Sequence, residues 1–202
     1  GDIMARSDIE KFVLNSILTV AVFFTAVYFS WMALSQLNFL YPTFYDLLDI
    51  DQMVSQYAPA QKDRSLRSFV STSKSDHVRI FSDITRSINN AGENLDKVTY
   101  TDPDTGRAKQ VLNHEEIYHL IEVAGLVFLF KIFSYFMMIM GLFAVIIMAN
   151  QKVKIASLKK SSISVVGIII FISAATLTIG PKRVFYTLHK IFFSDSKWLF
   201  FY

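Results

Sequence analysis

Residues 113–149 read NHEEIYHLIEVAGLVFLFKIFSYFMMIMGLFAVIIMA, and this stretch decides the fold. From Val123 to Ala149 its one charged residue is Lys131. A bilayer core takes about 20 helical residues to cross, so an apolar run of this length is a membrane-spanning helix. Its opening differs in kind. Asn113-His114-Glu115-Glu116 is a capping box, in which the Asn113 side chain accepts from the first turn and Glu116 reaches back to the cap amide. From His114 to Ala149 such a helix is roughly 54 Å long at 1.5 Å per residue, against a hydrocarbon thickness of about 30 Å. Its first two or three turns, which hold His119, therefore stand above the bilayer core.

Two further uncharged apolar runs flank this one, Phe12 to Leu37 and Ser161 to Gly180. The composition agrees: at 52% hydrophobic, 15% aromatic and 18% charged residues, the chain is too apolar and too charge-poor for an ordinary soluble domain. The first run lacks a small-residue cleavage site after a short apolar region, so it reads as a retained anchor and not as a removable signal.

The net charge of +3 matters less than its placement. Gln151 to Lys160 carries Lys152, Lys154, Lys159 and Lys160 and no acid, whereas Asn38 to Glu122 mixes both signs with a slight acidic excess. Positive charge in short loops marks the cytoplasmic side. The expected order is a cytoplasmic N-terminus at 1–11, a first span at 12–37 and an extracytoplasmic cap at 38–112. A helix at 113–150 then begins in the cap and continues as the second span, followed by a cytoplasmic loop at 151–160. The third span at 161–180 leads to an extracytoplasmic, aromatic-rich segment at 181–202. The fold class is thus an all-α polytopic membrane protein with three spans and a mixed, mainly helical cap. No basic patch remains for nucleic acid. The chain has no cysteine, so the cap is held by packing without disulfides, and no thiol serves as nucleophile or metal ligand.

Within the cap, Tyr41-Pro42 closes the first span. Residues 43–56 carry Phe44, Leu47, Leu48 and Val54 at loose helical spacing. Residues 76–90 form a clearer helix, capped by Ser75 or Asp76 and stopped near Gly92, with Val78, Ile80, Phe81, Ile84 and Ile88 marking one face. Residues 98–111 read as a small β-hairpin around a Pro/Gly turn.

The four histidines are His77, His114, His119 and His189, and the default reading of each is a surface or interfacial side chain. His114 and His119 superficially match a zincin helix, but that motif needs its histidines four apart. Five apart, they point roughly 140° from one another, and no third ligand is evident, so no metal is expected. Glu115, His119 and Glu122 do share a face, at spacings of four and three. A carboxylate partner fixes the tautomer of an imidazole and favours its protonated form, a usual preparation for a general base; exposed charges at a helix end are the competing reading. The 181–202 segment has the composition of an aromatic belt at headgroup depth. His189 lies within it, at the same expected depth as His119, and two histidines meeting among aromatics make an acid/base pair. Lys131, about 18 Å along the helix from His119, points back toward the helix N-terminus and reaches the outer surface by snorkelling.

Two segments together resemble a known family. Glu116-Ile-Tyr-His119-Leu-Ile-Glu122-Val123 is similar to the His-x-x-Asp-Val motif of the bacterial lipoprotein intramolecular transacylases, with Glu122 in place of the usual Asp, and Ala124 and Leu188 also depart from the common pattern. Phe185-Tyr-Thr-Leu-His189-Lys-Ile-Phe-Phe-Ser-Asp-Ser-Lys-Trp198-Leu-Phe200 resembles the family's second motif, a histidine followed by paired aromatics and then Trp-Leu. The resemblance implies a fourth span after the Trp motif. It also implies an enzyme that moves the sn-2 acyl chain of a diacylglyceryl lipoprotein onto the N-terminal Cys amine, giving the lyso-form, at the outer leaflet of a bacterial plasma membrane and without a cofactor. His119 is then the expected base, and His189 the acid or oxyanion donor. Glu122 and Glu115 support His119, while Tyr118, Tyr186, Phe192, Phe193 and Trp198 line the substrate pocket. The implied partners are the lipoprotein substrate and membrane lipid, and the working expectation is a monomer. A non-enzymatic receptor or assembly subunit with a binding cap is the alternative, and a membrane metalloenzyme a third reading.

Overall fold

The computed structural model describes residues 2–58, 64–156 and 158–193. It is mainly helical, and three of its helices are long and apolar enough to cross a membrane, over Asp8–Gln36, His114–Asn150 and Ser161–Ile179. The protein is an all-α polytopic membrane protein. In chain order the elements are α1 (Asp2–Gln36), α2 (Tyr41–Leu47), α3 (Ile50–Tyr57), α4 (Lys74–Asn89), β1 (Thr99–Thr101), β2 (Ala108–Gln110), α5 (His114–Asn150), α6 (Leu158–Ile179) and α7 (Pro181–Phe192). Two compact units divide them. One takes α1 up to Ser30 together with α5 from Phe130, α6 and α7; the other takes residues from Trp31 to Leu129.

In the first unit, α1 and α5 approach closely because small residues meet. Ala21 is 3% exposed, and a Cβ added at Gly141 would fall 2.7 Å from its methyl group. Without a hydrophobic drive between helices in lipid, such close backbone contact is the main source of association. Phe24 meets Phe133 edge-on at 4.8 Å, and the hydroxyls of Tyr28 and Tyr135 pair at 2.6 Å, which satisfies both in an apolar surrounding. α6 turns large side chains outward, Phe171 at 74% and Leu177 at 73% exposure, as a lipid-facing helix does. Gly180, at φ 99°, breaks the chain between α6 and α7, and Pro181 opens α7 where its missing N–H costs nothing.

The second unit has its own core, Ile80, Val98 and Tyr100 with Phe69, Ile84 and Val111 packed around them. α1 ends at Gln36, and Asn38, Phe39 and Leu40 all take positive φ (53°, 49° and 57°) before Pro42 starts α2. The loose helical pattern at 43–56 resolves into two short helices broken at Asp49, φ 48°. α4 begins two residues earlier than its expected start. Its cap is Ser73, whose hydroxyl accepts from Asp76 N–H at 3.2 Å while Asp76 takes the Ser73 N–H at 3.1 Å. β1 and β2 pair antiparallel, Tyr100 opposite Lys109, as the turn residues between them dictate. Asp102, 1% exposed, holds that turn by accepting from Asp104 N–H at 2.8 Å and pairing with Lys109.

Candidate active site

The head of α5 is built as its sequence requires. Asn113 Oδ1 accepts from Glu116 N–H at 2.9 Å, and Glu116 accepts from Asn113 N–H at 2.8 Å. This reciprocal cap fixes the first turns of the helix and so the direction in which His119 leaves it. The His119 side chain is 15% exposed, and its Nδ1 lies 3.9 Å from Glu122 Oε2. That separation is beyond a direct hydrogen bond. With Nδ1 turned to the carboxylate, Nε2 is the ring nitrogen on the far side. Of the two acids the sequence placed on this face, the structure brings Glu122 to the imidazole; Glu115 is exposed and forms no ion pair among the described residues. Tyr118 stands at the surface, 37% exposed.

The loop after α4 sets the packing of this helix head. Gly92 has φ +85°, and a Cβ there would come within 3.2 Å of Ile121 Cγ1 and 3.5 Å of its Cα. Glycine is needed twice over, for the left-handed backbone and for the close approach. Ile121 and Ala124, two and five residues beyond His119, are the side chains it packs on, and Ala124 is fully buried.

His189 belongs to the other unit, on α7. Its Nδ1 lies 3.0 Å from the carbonyl oxygen of Phe185. A carbonyl only accepts, so Nδ1 carries the hydrogen of this bond. The rings of Phe185 and Phe193 flank the imidazole at 3.8 and 5.1 Å between centroids. The spacing of four residues on either side explains this, since 185, 189 and 193 stack along one face of the helix. Phe193 is 8% exposed, Phe192 points outward at 58%, and Lys182 lies over the Tyr186 ring at 5.9 Å. Trp198 lies outside the described residues.

A third histidine is not at the surface. His77 is 4% exposed, stacked on Phe69 at 4.6 Å, with Nδ1 2.8 Å from Tyr45 Oη and Nε2 2.7 Å from Thr72 Oγ1. Thr72 donates its own hydrogen to Phe69 O at 2.6 Å, so His77 Nε2–H donates to Thr72, while the Tyr45 hydroxyl beside Nδ1 donates to Asp51 Oδ1 at 3.2 Å. Burial pushes the His77 pKa down, opposed by the charges of Asp51 and Asp76. Burial, followed by the hydrogen bond to Asp51, pushes Tyr45 up to about 12. The network is buried, and it ties α2, the 64–71 turn and α4 together. The signal was in the sequence: His77, Ile80, Phe81 and Ile84 recur at i, i+3, i+4 and i+7, the core-facing pattern of a helix.

No three of His, Cys, Asp and Glu cluster as metal ligands among the described residues. One histidine thus stands beside a carboxylate at the head of a helix long and apolar enough to cross a membrane, and another lies between two aromatic rings on the helix that follows the third such span, in a polytopic membrane protein. The family model described as lipoprotein intramolecular transacylase Lit matches residues 16–202, both histidine segments included, and the chain belongs to that family. It is a membrane acyltransferase of the intramolecular transacylase class, and its substrate is a lipoprotein. No curated protein and no solved structure matches it.

Proposed function

We propose that this enzyme transfers the sn-2 acyl group of a diacylglyceryl lipoprotein to the amine of its N-terminal Cys, at the outer leaflet, with His119 and His189 as base and acid. The observation that carries this reading is the pairing of His119 with Glu122 on the head of α5, inside a family match that also spans His189. A free α-amine titrates near 8, so a sizeable fraction is protonated at neutral pH and must lose its proton to attack. The amine nitrogen adds to the ester carbonyl and gives a proton to His119, whose imidazolium Glu122 stabilises. The bond between the acyl carbon and the glyceryl oxygen then breaks, and His189 delivers a proton from Nε2 to the departing glyceryl oxygen while its Nδ1–H stays on Phe185 O. The net change is one ester broken, one amide formed and one proton moved from nitrogen to oxygen. Donor and acceptor sit on one molecule, so holding them together lowers the barrier without an acyl-enzyme. The basic 151–160 loop supports a cytoplasmic face there and an outer-leaflet site.

The experiment is tandem mass spectrometry of lipoprotein N-terminal peptides from a bacterium that lacks other N-acylation. Expression should move one acyl chain from glycerol to nitrogen, and His119→Gln should leave it on glycerol. Labelling of an Asp104→Cys variant by an impermeant thiol reagent in intact cells places the cap; no labelling there removes the outer-leaflet site. An unshifted acyl chain with the wild type overturns the reaction itself.

A further inference from the structure

The first unit contains a second feature that the transfer reaction does not use. Between α1, the end of α5 and the start of α6 lies a cleft of about 500 Å³, within the roughly 300–1,000 Å³ range of small-ligand sites. Its two ends differ in chemistry. One end holds Asn15, Thr19 and Ser161; further along the same helices it is walled by Val22, Ala26 and Val166. The polar end is built: Asn15 Oδ1 accepts the Ala156 N–H at 2.6 Å, and Thr19 Oγ1 lies 3.2 Å from Ser161 Oγ. Ile155 and Ala156 form part of its wall, and Lys152, Lys154 and Lys159 lie within three residues of them in the chain. All three lysines are exposed, and no acid lies between 151 and 160. The acids of α1 toward this end are Asp8, paired with Lys11 at 3.2 Å, and Glu10. The polar mouth is at the N-terminal end of α6, whereas α7 and His189 follow its C-terminal end, so this is not the transfer site.

We propose that the cleft binds one acyl chain of an anionic phospholipid from the leaflet on the lysine-rich side, with the phosphate held by Lys152, Lys154 and Lys159. An apolar slot that opens between spanning helices beside a lysine-rich loop fits a lipid in both its parts. Basic pockets of this kind on the cytoplasmic side select acidic headgroups. The apolar length takes the chain, and the Asn15, Thr19 and Ser161 groups meet the ester region. This is a bound lipid that is not consumed, distinct from the lipoprotein substrate.

The test is native mass spectrometry of the delipidated protein offered dioleoyl phosphatidylglycerol or dioleoyl phosphatidylcholine. Each lysine near an anionic headgroup is worth roughly a fivefold gain, so the protein should retain phosphatidylglycerol at least roughly fivefold over phosphatidylcholine. The triple variant Lys152→Gln, Lys154→Gln, Lys159→Gln should bind the two lipids equally. Ala26→Phe, which grows into the slot from an exposed position, should lose both. Equal retention of the two lipids by the wild type overturns the proposal, as does wild-type retention by Ala26→Phe. A dimer that Ala26→Phe dissociates in the absence of lipid also overturns it, because the cleft is then a subunit contact. Should Ala26→Phe fail to fold, the lysine variant decides alone: a preference that survives the loss of all three charges overturns the proposal.

Discussion

His189 donates its Nδ1–H to the carbonyl oxygen of Phe185, at 3.0 Å and one turn back along α7. The bond occupies Nδ1, so the proton transfer proposed for His189 passes through Nε2. In His189→Asn the side-chain amide keeps a donor near the Nδ1 position and has nothing at Nε2. Activity should fall by roughly 10²–10⁴-fold, the usual contribution of a positioned acid or base, while α7 stays helical. Acyl-shift rates measured on purified protein check this, and near-wild-type turnover removes His189 from the chemistry.

Glu122 faces His119 and Glu115 does not. Replacing Glu122 with Gln should slow transfer by about tenfold or more and move the acid limb of the rate profile toward lower pH, because the imidazolium loses its neighbouring charge. Glu122→Asp, which shortens the side chain but keeps the charge, should recover part of the rate at an unshifted limb. Glu115→Gln should stay within about twofold. A pH profile unchanged in Glu122→Gln marks Glu122 as structural only.

Gly92 carries both a left-handed backbone and a 3.2 Å approach to Ile121. Gly92→Ala should therefore destabilise the cap by about 1–2 kcal/mol, the cost of a Cβ in that region, and disturb the helix turn next to His119. Gly106 has φ +67° with nothing within 4 Å, so Gly106→Ala bears the backbone term alone. The larger loss in melting temperature and in activity belongs to Gly92→Ala.

Two buried groups give the cap a pH dependence of one sign. The folded pKa of His77 lies below its ordinary 6.5. The unfolded chain therefore takes up the proton first, and stability that is complete above pH 6.5 declines as pH falls through the depressed value. The Lys109 hydrogen bond and charge hold Asp102 at about 2 against an ordinary 3.8. Its contribution is complete above 3.8 and is lost between there and pH 2. Thermal melts should thus show a first decline below pH 6.5 that His77→Gln removes, and a second below 3.8 that Asp102→Asn removes. A first decline that persists in His77→Gln assigns it to another group.

The spans were legible because each is decided within a single stretch of chain. Residues 123–149 carry one charge, and the Asn113/Glu116 cap depends on side chains three apart. The hairpin at 98–111 followed from its Pro/Gly turn for the same reason. What the sequence withheld depends on contacts between distant segments. Ser73 caps α4 although Ser75 and Asp76 lie nearer the first apolar residue, because Asp76 serves as its reciprocal partner at the third helical position. Glu115 and Glu122 are equivalent by spacing, and only the ring's rotamer chooses between them. His77 was readable from its position on the apolar face of α4, but its partners Tyr45 and Thr72 come from other segments. α7 was read as an aromatic belt, since its interfacial composition masks a helix that the 185, 189, 193 spacing makes regular. The two histidines lie in different units of the chain, so their meeting over one substrate rests on the proposed chemistry.

In an intramolecular transfer both acyl positions belong to one lipoprotein molecule. A mixture of two diacylglyceryl lipoproteins, one with deuterated and one with ordinary acyl chains, tests it with purified enzyme and no phospholipid donor. Intramolecular transfer should give products of unchanged acyl mass in which the amide-linked and glycerol-linked chains always carry the same label. Products pairing one labelled with one unlabelled chain, or products heavier by an added acyl group, would contradict it.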